Sequence, residues 1–100
     1  MSRKVVISKT AEKKLDKLLE YLITEWSVKI KTEFVKKLDS SIKVIKKQPE
    51  IFPESKKGKG LKKCVITKQT TLYYRYNSKQ INIITIFDSR RDPNKLSKEI

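Results

Sequence analysis

Apolar and polar positions along this chain change their period, and each change marks an element. Lys4–Ile7 is a short run rich in β-branched residues and reads as a strand. The period then lengthens: Leu15, Leu18, Leu19, Leu22, Ile23 and Trp26 fall at i, i+3, i+4, i+7, i+8 and i+11, one stripe of an amphipathic helix. Ser8 or Thr10 can cap its start, with Glu12 favourably placed in the first turn. Ser27 is a second N-cap, and Trp26 is expected to pack at the corner between two helices. Ile30, Phe34, Leu38, Ile42 and Ile45 form the second stripe, which Pro49 stops. Lys46 and Lys47 suit the negative end of that helix dipole.

Pro49 belongs to a linker, Gln48–Gly60, where Ile51 and Phe52 are expected to tuck against the core while Lys56, Lys57 and Lys59 stay wet. The period is two from there on. Leu61–Thr67 reads as a strand, and Leu72–Tyr76 and Ile81–Phe87 read as a hairpin across the polar tetrad Asn77–Gln80. In the hairpin Leu72, Tyr74 and Tyr76 share one face, and Tyr73, Arg75 and Asn77 share the other. A short helix is expected over Asn94–Ile100. The order β-α-α-β-β-β predicts an α+β fold of two layers in one domain over residues 1–100. Two antiparallel helices, roughly 10–26 and 28–48, would cover one face of a four-stranded, mostly antiparallel sheet. The apolar triplet of the hairpin should lie under the helices, leaving Tyr73 and Arg75 on the open face.

Charge sharpens this picture. Among 100 residues, 25 Lys+Arg against 11 Asp+Glu give a net charge of +14, which favours acidic partners such as nucleic acid or an acidic protein. The lysines of the second helix have a solvated helical face as their simplest explanation. No apolar run approaches the ~20 residues of a membrane span, and Val5–Ile7 is too short for a signal peptide core. The lone Cys64 cannot form an internal disulfide and is expected in the core. A cytoplasmic protein without membrane partner is the expectation.

The chemistry is narrowed as much by what is missing. Histidine is absent, which removes the commonest general base at neutral pH and most transition-metal sites. There is no cysteine pair, glycine-rich phosphate loop or close carboxylate cluster, so no metal, cofactor or small-molecule cofactor partner is expected. Arg, Lys and Tyr remain, and these hold phosphate or stabilise developing charge. Arg75 on the open face is one candidate. Arg90 and Arg91, at the strand exit, are either exposed cations or ion-pair partners of Asp88 or Asp92.

The element order, the Trp26 corner, the proline after the second helix and the ending Ile83–Pro93 (IITIFDSRRDP) together resemble the RelE/ParE toxins of bacterial type II toxin–antitoxin pairs. The resemblance covers nearly the whole chain and is most specific at Arg90-Arg91-Asp92-Pro93. It implies a growth-inhibiting protein of the plasmid-stabilisation kind, held inactive by a cognate acidic antitoxin. One branch of the family cuts ribosome-bound mRNA, and the ParE-like branch poisons DNA gyrase. Residues matching the cutting branch are Arg91 at the strand exit and Lys62 and Lys63 on the second strand. That branch usually has an arginine where this chain has Thr71, and often an aromatic or histidine near its end, where Leu96–Ile100 offer none. Arg75 lies four residues, about 13 Å, along the strand from Thr71. Candidate catalytic groups are therefore Arg75, Arg91 and Lys63, and candidate binding groups are Lys62, Lys63, Tyr73, Arg75, Arg90 and Arg91. The ParE-like branch is favoured, and a RelE-like endoribonuclease is the alternative. A non-toxic RNA-binding module would need solvent-facing aromatics among basic residues, for which Tyr73 is the candidate.

Overall fold

The computed structural model describes residues 3–90. Its elements run β1 (Lys4–Ile7), α1 (Lys9–Glu25), α2 (Val28–Lys47), a 3₁₀ turn (Pro49–Ile51), β2 (Lys62–Val65), β3 (Thr70–Tyr76) and β4 (Gln80–Asp88). The strands form one sheet in the order β1-β4-β3-β2, with β1 parallel to β4 and the other pairs antiparallel. Both helices pack on one face of this sheet, as the paired stripes require. One apolar core joins Leu18 and Leu22 of α1 and Phe34, Leu38 and Ile45 of α2 to Cys64, Leu72, Tyr74, Ile81, Ile83 and Ile86 of the sheet. Among the described residues no helix is long and apolar enough to cross a membrane.

Serine fixes both helix starts. Ser27 Oγ accepts from the Ile30 N–H at 3.1 Å. Ser8, rather than Thr10, caps α1: its Oγ accepts from the Ala11 N–H at 3.0 Å and donates to the Ile84 carbonyl at 2.7 Å. That second bond has a specific cause. The β3–β4 ladder pairs Tyr73 with Thr85 but Tyr74 with Ile83, so Ile84 is an extra, bulged residue. Its carbonyl is released from the ladder and taken up by the serine that turns β1 into α1. At the other end of the hairpin, Asn77 Oδ1 accepts from the N–H groups of Lys79 (2.8 Å) and Gln80 (2.9 Å), closing the turn.

Four expectations are corrected by this packing. Trp26 does not fill the corner between the helices but is 56% exposed. As the C-cap of α1, with φ −125° and ψ −95°, it sits where the chain turns at once into Ser27, and the indole projects outward. Ile23 is also exposed, since it lies about 100° around the helix from buried Leu22. Only Phe52 of the Ile51–Phe52 pair tucks in, meeting Tyr74 edge-on at 6.3 Å between ring centroids; Ile51 is exposed. Tyr73 is not solvent-facing: 7% of it is exposed, and Thr85 opposite is fully buried. The expected helix over 94–100 lies outside the described residues.

Candidate functional site

The register of the sheet decides which candidate groups can meet. Lys63 stands opposite Tyr73 on the strand next to Arg75, so Lys63 and Arg75 are diagonal neighbours on the face away from the helices, roughly 7–8 Å apart at the backbone. Lys62 stands opposite Tyr74 and belongs to the helix-covered side, where it is half-buried at the sheet edge. Asp88 pairs with Thr70 on that same side. Arg90 therefore leaves the sheet about 17 Å along β3 from Arg75 and from the opposite layer. The structure brings Lys63 and Arg75 together and keeps Arg90 apart. Arg91 lies outside the described residues.

Arg75 is held by the loop that precedes β2. The loop folds back along the strand: Ser55 N donates to Leu61 O at 2.6 Å and Lys63 N to Pro53 O at 3.0 Å. Arg75 Nη1 donates to the Lys59 carbonyl. Its guanidinium also lies only 3.2–3.3 Å from where a Cβ would stand on Gly58 or Gly60. Gly60 adopts φ +74°, so glycine is needed there on two counts. The Gly60 N–H donates in turn to the Glu54 carboxylate. Leu61 is completely buried beneath this loop, with Gly58 against it. Lys56, Lys57 and Lys59 are thus displayed on a braced turn beside Lys63 and Arg75. Sequence reasoning passed over this brace; its signal was the only two glycines of the chain spaced among lysines.

Arg90 is committed elsewhere. Its Nη2 and Nε donate to Asp88 Oδ2 and Oδ1 at 2.8 and 3.0 Å, its backbone N–H reaches Asp88 Oδ1 at 2.9 Å, and its guanidinium covers the Trp26 ring at 5.9 Å. Thr70 Oγ1 donates to Asp88 Oδ2 at 2.6 Å. Burial pushes the Asp88 carboxyl up, but the hydrogen bonds from Arg90 and Thr70 and the arginine's charge outweigh it and hold the group below its ordinary value. Bonding to Asp88 keeps Arg90 firmly charged, against the opposing effect of burial. Of the two readings of Arg90, the ion pair with Asp88 is the one observed.

Proton-transfer candidates are equally constrained. Burial pushes the Tyr73 phenol above its ordinary value. Tyr74 is raised too, mainly by burial, and donates to the Pro49 carbonyl at 2.6 Å inside the core. The Cys64 thiol is buried and shifted upward, with a bond to Ser41 as a smaller opposing effect. Among the described residues no cluster of His, Cys, Asp or Glu could hold a metal ion. What Lys63, Arg75 and the loop lysines can do is hold anionic groups by charge.

Comparison with known proteins places the chain. A family model described as "ParE toxin of type II toxin-antitoxin system, parDE" matches residues 5–93. No curated protein matches the sequence. Solved structures with the same fold include the chromosomal ParDE toxin–antitoxin system of P. aeruginosa, with TM-score 0.72 and 12% identity over 87% of this chain and 96% of that one. A chain of the E. coli DinJ-YafQ toxin-antitoxin complex aligns with TM-score 0.64 and 13% identity over 90% and 96%. A copper-bound mutant toxin from Helicobacter pylori gives 0.64 and 19% over 90% and 97%.

Proposed function

Because this chain belongs to the ParE toxin family of type II toxin–antitoxin systems, we propose that it is a growth-inhibiting toxin directed at DNA gyrase and neutralised by a cognate acidic antitoxin. Residues 1–100 act as one toxin domain in this reading. One observation supports the choice of gyrase over mRNA: among the described residues Lys63 and Arg75 meet, but no proton acceptor joins them. Arg90 is bonded to Asp88 at the far end of the hairpin from Arg75, Tyr73 is buried, and Thr71 replaces the strand arginine of the cutting branch. In-line attack by a ribose 2′-hydroxyl needs a proton acceptor, a charge stabiliser and a proton donor in one place. Losing one preorganised donor from such a site costs on the order of 10²–10³ in rate. Lys63 and Arg75 alone supply charge without a proton acceptor.

The antitoxin half of the proposal is supported by the charge of +14 and by the complexes in which similar folds were solved. The experiment is induction of the toxin without an antitoxin, followed by primer extension on mRNA and a gyrase supercoiling assay, with Arg75→Ala and Arg91→Ala controls. Growth arrest with inhibited supercoiling and intact transcripts is expected. Codon-phased cuts that vanish in Arg91→Ala, with supercoiling untouched, would instead establish a RelE-like endoribonuclease. Co-expression with the neighbouring open reading frame should restore growth if that frame encodes the antitoxin.

A further inference from the structure

We propose that the face built by the 56–60 loop, Lys63 and Arg75 binds the phosphate backbone of double-stranded DNA without regard to sequence. The inference is independent of which cellular target the toxin inhibits. Its first support is the separation of charge along the chain. Between Lys56 and Lys79 the sequence contains no Asp or Glu at all, whereas Lys9–Glu33 interleaves its lysines with Glu12, Asp16, Glu20, Glu25 and Glu33. Folding keeps that separation. The register places Lys4, Val6, Gln80, Asn82, Arg75 and Lys63 among the residues of the face away from the helices, and none of the four strands puts a carboxylate there. Among the described residues, Lys43–Asp39 and Arg90–Asp88 form ion pairs, and both lie outside this face. Glu54, which precedes the loop, accepts from the Gly60 N–H.

Rigidity is the second support. Arg75 gives one N–H to the Lys59 carbonyl, and a guanidinium has five to give, so the brace leaves donors for a ligand. Because the loop is closed by its own backbone bonds and by glycines that admit the arginine, its lysines are displayed on a fixed turn. Less conformational freedom is then lost when they engage phosphate.

The third support is what the face lacks. Single-stranded nucleic acid is held by stacking of its bases on exposed aromatics, each worth ~1–3 kcal/mol. Tyr73, the aromatic in the middle of this face, is buried. Phe87, opposite Thr71 at the other end of the face, is half-buried with the Lys14 ammonium over its ring at 5.8 Å, and Trp26 lies with Arg90 at the end of α1. The loop, Lys63 and Arg75 therefore meet a ligand without an open aromatic beside them and contact backbone only. Such a patch prefers the ligand with the higher density of phosphate, and a DNA duplex carries one charge per ~1.7 Å of axis.

The test is fluorescence anisotropy of the full chain with a labelled 20-base-pair DNA duplex, the same single strand, and an RNA duplex of equal length, across a salt series. Five cations predict a slope of log K against log salt of about −4.5, so raising salt from 50 to 200 mM should weaken duplex binding about 500-fold. Replacing Lys56, Lys57 and Lys59 with alanine should reduce the slope to about −1.8 and that loss to about 12-fold. The triple substitution Lys13→Ala, Lys17→Ala and Lys29→Ala removes the same charge from the helices and should leave the slope near the wild-type value. Circular dichroism of both variants checks that each is folded. The proposal fails if the single strand binds as tightly as the DNA duplex, or if the RNA duplex is preferred more than fivefold. It also fails if the two triple variants lose equally, since net charge rather than this face would then explain the binding.

Discussion

Replacing Asp88 with alanine removes the acceptor for four donors at once: Thr70 Oγ1, the Arg90 backbone N–H, and Arg90 Nε and Nη2. The carboxylate is 4% exposed, whereas the Arg90 side chain retains 20% of its exposure. Breaking a fully buried ion pair costs ~3–5 kcal/mol, because the remaining charge is stranded. Arg90 can recover some hydration, and Thr70 Oγ1 loses its buried acceptor, so the lower end, about 3 kcal/mol, applies here. For a domain of this size that is roughly a 12–24 °C fall in Tm. The linkage has a definite sign. Asp88 is depressed in the folded state, so its contribution is fully present above the unfolded carboxyl value near ~4 and disappears as pH falls through the lower folded value. Urea unfolding of wild type and Asp88→Ala at pH 7 reads the loss of about 3 kcal/mol, and wild type against Asp88→Asn, the neutral isostere, between pH 7 and pH 2 reads the linkage. The stability gap between them should be widest at pH 5–7 and close toward pH 2. A gap below about 1 kcal/mol at pH 7, or one that stays constant down to pH 2, would refute the view that this carboxylate is ionised and held by Arg90.

Three further outcomes follow from the same geometry. Association with an acidic antitoxin should slow as salt rises, because long-range attraction is screened within ~8 Å at physiological ionic strength, while dissociation changes little; stopped-flow kinetics in a salt series checks this. Tyr74→Phe should lower stability by about 1–2 kcal/mol, since it leaves the buried Pro49 carbonyl without its donor, and denaturant midpoints read the loss. Cys64 should react with a thiol reagent at pH 8 only after unfolding, because burial both shields the thiol and pushes it upward.

The elements were legible because each is specified locally. The 3.6-residue stripes mark α1 and α2, Ser27 and Pro49 bracket α2, and the two-residue alternation with a polar tetrad marks the hairpin. Departures occur where a long-range partner decides. The bulge at Ile84 carries no composition signal; it is matched by Ser8, 76 residues earlier in the chain. Trp26 looks like core by period alone, since period does not register that the chain turns at the next residue and that Arg90 covers the indole from the far end of the sequence.

The site was less legible for a related reason. Alternation assigns Tyr73 and Arg75 to one face, which the register confirms, but alternation says nothing about what lies over that face. Tyr73 and Thr85 are buried in its middle, while Arg75 reaches sideways to a loop carbonyl sixteen residues before it. An arginine at a strand exit likewise reads as a free cation until a buried carboxylate two residues earlier is seen to claim it. Arginine has five donors and a long stem, so its residue type declares that it binds an anion or a carbonyl, and only tertiary geometry declares which. Here Arg90 ties the end of β4 to the end of α1, and Arg75 fixes the basic loop against Leu61. The surface left to meet an acidic partner is set by lysines that flank these two arginines, and charge removed from Lys56, Lys57 and Lys59 should therefore weaken binding with less loss of stability than charge removed from Arg75.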